Sequence, residues 1–206
     1  MDPACSKSAL LYGRIRRDLQ SGRYAPGERI DPARLSREFR TSLTPVRFAL
    51  YRLSGEGLIA DHARNGFQVP LPTELCMRDQ YAWMEQLLSM AWTSQAHRGL
   101  ARDSGTAPGN DDPHKRTWKL FDAIARDSGK WSLHQAVRRA NDRLAPIRRA
   151  KRELIPDLQD ELDRLQRLYQ TRDAALPQAV HAYHARRIAL VPQIVALLAE
   201  RCNRLH

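Results

Sequence analysis

The stretch from Arg34 to Leu53, RLSREFRTSLTPVRFALYRL, constrains this chain more than any other. It reads as two short helices joined by a tight turn. Thr44 suits the N-cap of the second helix, and Pro45 suits its first turn, where no N–H is needed. Val46, Ala49, Leu50 and Leu53 then recur at helical spacing and face a core. Ser42, Thr44, Arg47 and Arg52 are left outside. This is the build of a helix-turn-helix, whose second helix places its first residues against base edges in the major groove.

The flanks extend the pattern. Leu10, Leu11, Ile15 and Leu19 mark a preceding helix that Ser21-Gly22 stops. Tyr24 to Ile30 is a Pro-Gly turn leading into a short extended piece. Gly57–Ala60 and Gly66–Pro70 read as short strands around Asp61–Gly66, a polar turn with Asn65-Gly66. Three helices followed by a hairpin make a winged helix. On it, Arg47 in the first turn can pair with guanine or grip a phosphate. Arg34, Arg37 and Arg40 suit phosphates. The hairpin tip, with His62, Arg64 and Gly66, suits the minor groove.

Charge agrees with an anionic partner. The chain has 206 residues, with 34 Lys+Arg against 23 Asp+Glu, a formal net charge of +11. The excess is shared: residues 1–72 hold 12 basic and 7 acidic side chains, the remainder 22 and 16. Between Arg138 and Arg152 seven basic residues stand against Asp142 alone, either a solvated face or an auxiliary contact for DNA or an anionic effector. No apolar run approaches the ~20 residues of a membrane span, and the first residues carry no secretory pattern. Cys5, Cys76 and Cys202 form no disulfide framework and no zinc knuckle. The expectation is a cytoplasmic protein without a membrane partner.

Pro70-Leu71-Pro72-Thr73 is a short, stiff boundary, dividing a DNA-binding domain over 1–72 from an all-helical domain over 73–206. The latter is expected to hold helices over 74–95, with Leu75, Tyr81, Met84, Leu87, Leu88 and Ala91 inward, then 118–125, 132–152, 158–171 and 176–205. Residues 99–113 read as a loop. Pro192 is expected to bend the last helix, and Trp83 and Trp92 to lie in the core. The fold class is thus mainly α: a winged helix-turn-helix followed by a helical bundle.

Residues 22–30, 35–39, 42–50, 52–59 and 66–69 closely resemble, in order and spacing, the N-terminal domain of GntR-family bacterial regulators. The resemblance implies a dimer reading a short palindrome. Departures stand inside it. The family usually has Arg where this chain has Leu43, Glu where it has Phe48, and Gly-Val where it has Arg40-Thr41. Fewer base contacts follow from the first, and added charge near DNA from the last.

By its helix order, by Phe121-Asp122 followed by Asp127-Ser128-Gly129, and by Glu161 with His184 downstream, the helical part is similar to the effector domain of the family's fatty-acid-responsive branch. Many such domains hold a divalent metal through one Asp and three His, and the metal helps bind a small carboxylate. Here those positions fall on Trp118, Asp122, Leu162 and His184. One His and one Asp do not close a metal site, which needs about four ligands, so no cofactor is expected. Trp118, Asp122, His181 and His184 become candidate effector residues, around a pocket for a hydrophobic effector or a cavity filled by Trp118. The expected function is a homodimeric DNA-binding regulator under control of a small organic effector, not an enzyme. The alternatives are a metal-dependent sensor or enzyme using Asp122, His181 and His184, and an effector-independent architectural protein.

Overall fold

Asp31 starts the helix-turn-helix. Its carboxylate accepts from the backbone N–H of Ala33 at 2.8 Å and of Arg34 at 3.2 Å, capping α2 (Pro32–Glu38). In the computed structural model, which describes residues 3–62, 66–95 and 112–204, α2 follows α1 (Pro3–Gln20) and the short strand β1 (Arg29–Ile30). After it come α3 (Leu43–Gly55), β2 (Ala60–His62) and β3 (Gly66–Gln68). Both β1 and β2 pair antiparallel with β3, which is therefore central.

Val46, Ala49, Leu50 and Leu53 are the buried residues of α3, as their spacing requires. They close a core with Leu11, Ile15 and Leu19 of α1, Leu35 of α2, and Phe67 of the hairpin. Each such aliphatic side chain contributes about 1.5–3 kcal/mol on burial. The cap differs from expectation. Ser42, not Thr44, is the N-cap of α3 and makes no side-chain cap bond.

The helical part comprises α4 (Glu74–Gln95), α5 (Pro113–Asp127), α6 (Trp131–Ala150), a 3₁₀ turn (Arg152–Leu154), α7 (Leu158–Gln170), α8 (Leu176–Ala189) and α9 (Val191–Arg204). Helix α4 runs through the middle, against α5, α6, α8 and α9. Its second core runs from Met77 to Leu198. Among the described residues no helix is long and apolar enough to cross a membrane.

Three expectations need correction. Leu75 is exposed and Met77 takes the inward place, because the buried stripe of α4 runs 77, 81, 84, 88, 91. Trp83 is exposed, while Trp92 packs against the core. Pro192 divides the last helix rather than bending it. Proline has no N–H for the carbonyl of Ile188 and its ring clashes there, so α8 ends at Ala189 and α9 begins at Val191. The loop expected over 99–113 lies outside the described residues except for its last two, Asp112 and Pro113, which cap and open α5.

Candidate nucleic-acid interface

The turn between α2 and α3 is built by backbone bonds. Arg40 N–H donates to the Arg37 carbonyl at 3.2 Å and Thr41 N–H to the Ser36 carbonyl at 3.0 Å. This helix ending puts the residue after the cap in the left-handed region, where glycine is favoured. α3 ends the same way, and there the residue is Gly57, with φ of +71°. At the first ending it is Arg40, with φ of +49°. An L side chain in that conformation costs about 1–2 kcal/mol. The cost falls where an exposed guanidinium stands at the edge of the recognition helix. Arg40→Gly is expected to raise unfolding stability by about 1 kcal/mol. The same variant should lower the salt dependence of DNA binding by about one charge per chain. Denaturant titration and salt-dependent anisotropy check the two opposite signs.

Ser42, Thr44 and Arg47 are all exposed at the start of α3, and Arg34, Arg37 and Arg40 are exposed on α2 and the turn. Arg37, Arg40, Ser42 and Thr44 line one open groove, together with Lys7 and Phe48. Among the described residues Arg34, Arg37, Arg40 and Arg47 hold no ion pair. The uncapped N-terminus of α3 adds free N–H groups and the positive end of its dipole. Glu38, the one acid of α2, is engaged by Arg23 through bonds of 2.8 and 2.6 Å. That pairing holds its carboxyl below the usual range and offsets its repulsion of phosphate. His62 and Gly66 are exposed on the hairpin; Arg64 lies outside the described residues.

Arg52 keeps different company. Its guanidinium lies 4.0 Å over the ring of Tyr12, with Nε 3.5 Å from Glu56, while the Tyr12 hydroxyl donates to Glu56 at 2.8 Å. This group faces the bundle. There Asp142 of α6 accepts from Arg16 Nε at 2.7 Å, Gln20 at 2.7 Å and the Trp118 indole N–H at 2.8 Å. Arg143 donates to the Glu56 carbonyl at 3.1 Å and Arg149 to the Ser21 carbonyl at 2.5 Å. The winged helix is therefore fastened to α6 by side chains as well as by the Pro-rich connection.

The basic run of α6 is not one solvated face. Arg143 and Arg149 hold the junction, and Arg138 lies 3.5 Å from Asp122 and over the Trp118 ring. Arg148 and Lys151 are inside the bundle, 2% and 4% exposed. Arg139, Arg143 and Arg149 are exposed, the last two while bonded to the winged helix.

Of the four candidate effector residues, Trp118 and Asp122 share Arg138, while His181 and His184 have partners of their own. Trp118 bonds Asp142. Asp122 Oδ1 lies 2.8 Å from His134 Nε2. His181 is exposed, 2.7 Å from Glu85. His184 is fully buried, and its Nδ1 donates to the Val180 carbonyl at 2.8 Å. Burial, then Arg187, Arg148 and Lys151, bring its pKa down to about 3, so the ring is neutral.

Sequence spacing did not reveal the surroundings of His184. Arg148 lies 5.5 Å over Phe121, Lys151 donates to the Tyr81 hydroxyl, and Arg187 lies against Tyr183 while bonding Glu161 at 2.7 and 2.5 Å. Burial and the two arginines push the Lys151 ammonium well below its usual range. Three buried basic side chains thus face one carboxylate. A cation–ring contact contributes about 0.5–2 kcal/mol, less than the several kcal/mol that burying each ion costs. A divalent metal does not fit here: the neighbours of His184 are cations, Leu162 is apolar, and Asp122 is paired elsewhere. Among the described residues no three His, Cys, Asp or Glu gather around a common point.

The family model for bacterial regulatory proteins of the gntR family matches residues 7–69. An uncharacterised HTH-type transcriptional regulator of Bacillus subtilis strain 168, YdhC, is 34% identical over 69 residues, covering 34% of this chain and 30% of that protein. Among solved structures, E. coli McbR/YncC superposes with a TM-score of 0.71 at 18% identity, over 91% of this chain and 97% of the other. A putative transcriptional regulator GntR from Rhodococcus sp. RHA1 gives 0.70 at 16% identity, over 91% and 98%. At these identities the structural likeness speaks for the fold, a winged helix followed by a helical domain.

Proposed function

We propose that this chain, which belongs through residues 7–69 to the GntR family of bacterial regulatory proteins, is a homodimeric transcriptional regulator that reads a short palindrome in double-stranded DNA. The observation that carries this reading is the start of α3: a helix N-terminus without a side-chain cap, with Ser42, Thr44 and Arg47 exposed, flanked by Arg34, Arg37 and Arg40, which hold no ion pair among the described residues. A palindrome requires two copies related by a twofold axis. The surface we assign to the second copy is the outer face of α4, where Leu75, Trp83 and Met90 are exposed. In this reading residues 1–72 bind DNA, residues 73–206 dimerise and take an effector, and the protein works in the cytoplasm.

The Asp142 junction supports effector control. Helix α6 carries Asp142 against the winged helix, and Arg148 and Lys151 two turns on inside the bundle. A ligand that moves α6 changes the placement of the DNA-reading helices, and with it the fit to two half-sites. Placement in the fatty-acid-responsive branch belongs to this proposal and rests on helix order, on Phe121-Asp122 followed by Asp127-Ser128-Gly129, and on Glu161 with His184. The enzymatic reading loses its constellation, since Asp122, His181 and His184 are each held by a different partner.

The test is fluorescence anisotropy with the duplex upstream of the chain's own gene and a shuffled duplex of equal length. Three phosphate-binding arginines per chain give six per dimer, and a slope of log K on log salt of about −5. Two chains should bind each duplex, with the specific site preferred by about a thousandfold or more. Equal affinity for both duplexes, or affinity independent of salt, would falsify the proposal.

A further inference from the structure

We infer that Phe48 reads thymine in each half-site, by packing its ring on the C5 methyl group of a T·A pair in the major groove. This rests on the reading that the start of α3 meets DNA bases, and it deepens that reading by naming one base and the group on it that is recognised.

The outward face of α3 carries the inference. Val46, Ala49, Leu50 and Leu53 are buried and fix the direction of the core. With about 3.6 residues per turn, the opposite direction falls on Thr44, Phe48, Tyr51 and Gly55. All four are exposed, and Arg47 and Arg52 stand to either side of them. The middle of the face is thus aromatic. Tyr51, 53% exposed, meets the ring of Phe67 edge-on at 5.2 Å and is held by the hairpin. Phe48 is 64% exposed and meets no other ring among the described residues. It lines the same open groove, of about 950 Å³, as Arg37, Arg40, Ser42 and Thr44. One bare phenyl ring therefore stands among the groups placed to meet phosphates and base edges.

The chemistry of the ring selects its partner. Phenyl has neither a hydrogen-bond donor nor an acceptor. Of the four bases, thymine alone offers the major groove an apolar group, its C5 methyl; the others offer hydrogen-bonding atoms. A phenyl ring over those atoms would displace water without replacing its bonds. The wrong base then loses both the apolar contact and its solvation. Charge names the same partner. Arg37 and Arg40, in the groove with Phe48, hold no ion pair among the described residues. A second copy presenting this face would set arginine against arginine, whereas the phosphates of a duplex neutralise both. Burying one methyl group corresponds to about a fourfold gain in affinity.

In the experiment the full chain selects a preferred duplex from a random pool, and each thymine of that duplex is replaced in turn by deoxyuridine. This keeps every hydrogen bond and removes only the methyl group. Affinity is read by anisotropy at fixed salt. One thymine in each half-site should be sensitive, with about a fourfold loss for one replacement and about fifteenfold for both. At the sensitive position a 5-methylcytosine·guanine pair should bind better than cytosine·guanine. Phe48→Ala should weaken binding to the thymine duplex and abolish both methyl effects. Its melting temperature and salt slope should stay with the parent, because the ring is exposed and uncharged. Phe48→Leu, still apolar, should keep the methyl response. The inference is overturned if no deoxyuridine weakens binding, or if Phe48→Ala keeps the parent's sensitivity to the methyl group. Selective, salt-dependent binding that persists in either case leaves the DNA-reading function standing. A pool that yields no preferred duplex removes that function, and this inference with it.

Discussion

Asp142→Leu is expected to cost about 3 kcal/mol or more and to split one unfolding transition into two. The Asp142 side chain is 2% exposed and serves Arg16, Gln20 and Trp118 together. Removing the carboxylate strands donors on both sides of the junction. Breaking a buried ion pair typically costs about 3–5 kcal/mol. The lower end applies because Arg16 retains 22% exposure and regains water. Since each side of the junction has its own apolar core, the loss should fall on the coupling between them. Differential scanning calorimetry should then show the winged helix melting below the bundle. Arg16→Met in the same chain should recover much of the loss, because no charge is then left unpaired. A single transition within about 0.5 kcal/mol of the parent would mean that the Pro-rich connection alone sets the domain placement.

How far such contacts are legible depends on their range. The buried face of α3 follows from periodicity, and all four of its inward residues are found where spacing puts them. The winged-helix order was legible for the same reason: caps, turns and alternation act over a few residues. Leu75 and Trp83 were misplaced because an apolar side chain is not by itself an inward one. Their exposure on one face of α4 depends on what covers that face. Arg40 in a left-handed conformation is visible in sequence only as a non-glycine at a position where the family usually has glycine.

The basic run of α6 teaches most. Counted as charge, it suggested a surface. Counted as period, Val137, Asn141, Leu144 and Arg148 recur at intervals of 4, 3 and 4, which is one helical stripe. Leu176, Val180, Tyr183 and Arg187 repeat the same intervals on α8. The signal for buried arginine was therefore present, but polarity outweighed it. The pairing of Asp142 with Arg16, 126 residues away, has no local signature at all.

Arg47→Ala should leave stability within about 0.5 kcal/mol, since the side chain is exposed and holds no ion pair among the described residues. Operator affinity, by contrast, should fall by about 1–3 kcal/mol per half-site if the guanidinium meets guanine with two hydrogen bonds. The separation of the two effects is the informative result, because a folding defect would move both. Arg47→Lys sharpens it. Lysine keeps the charge and the salt slope but lacks the planar fork, so it should restore binding to phosphate without restoring discrimination at the contacted base pair. Neighbouring side chains raise the weight on Arg47. Leu43 and Phe48 are 40% and 64% exposed beside it, and neither can donate to a base edge. They can meet a thymine methyl group. Direct readout then reduces to Arg47 with Ser42 and Thr44, framed by apolar contact. Leu43→Arg should add affinity for every duplex and blur the preference among them. If Arg47→Ala leaves both affinity and base preference unchanged, a surface other than the start of α3 reads the DNA.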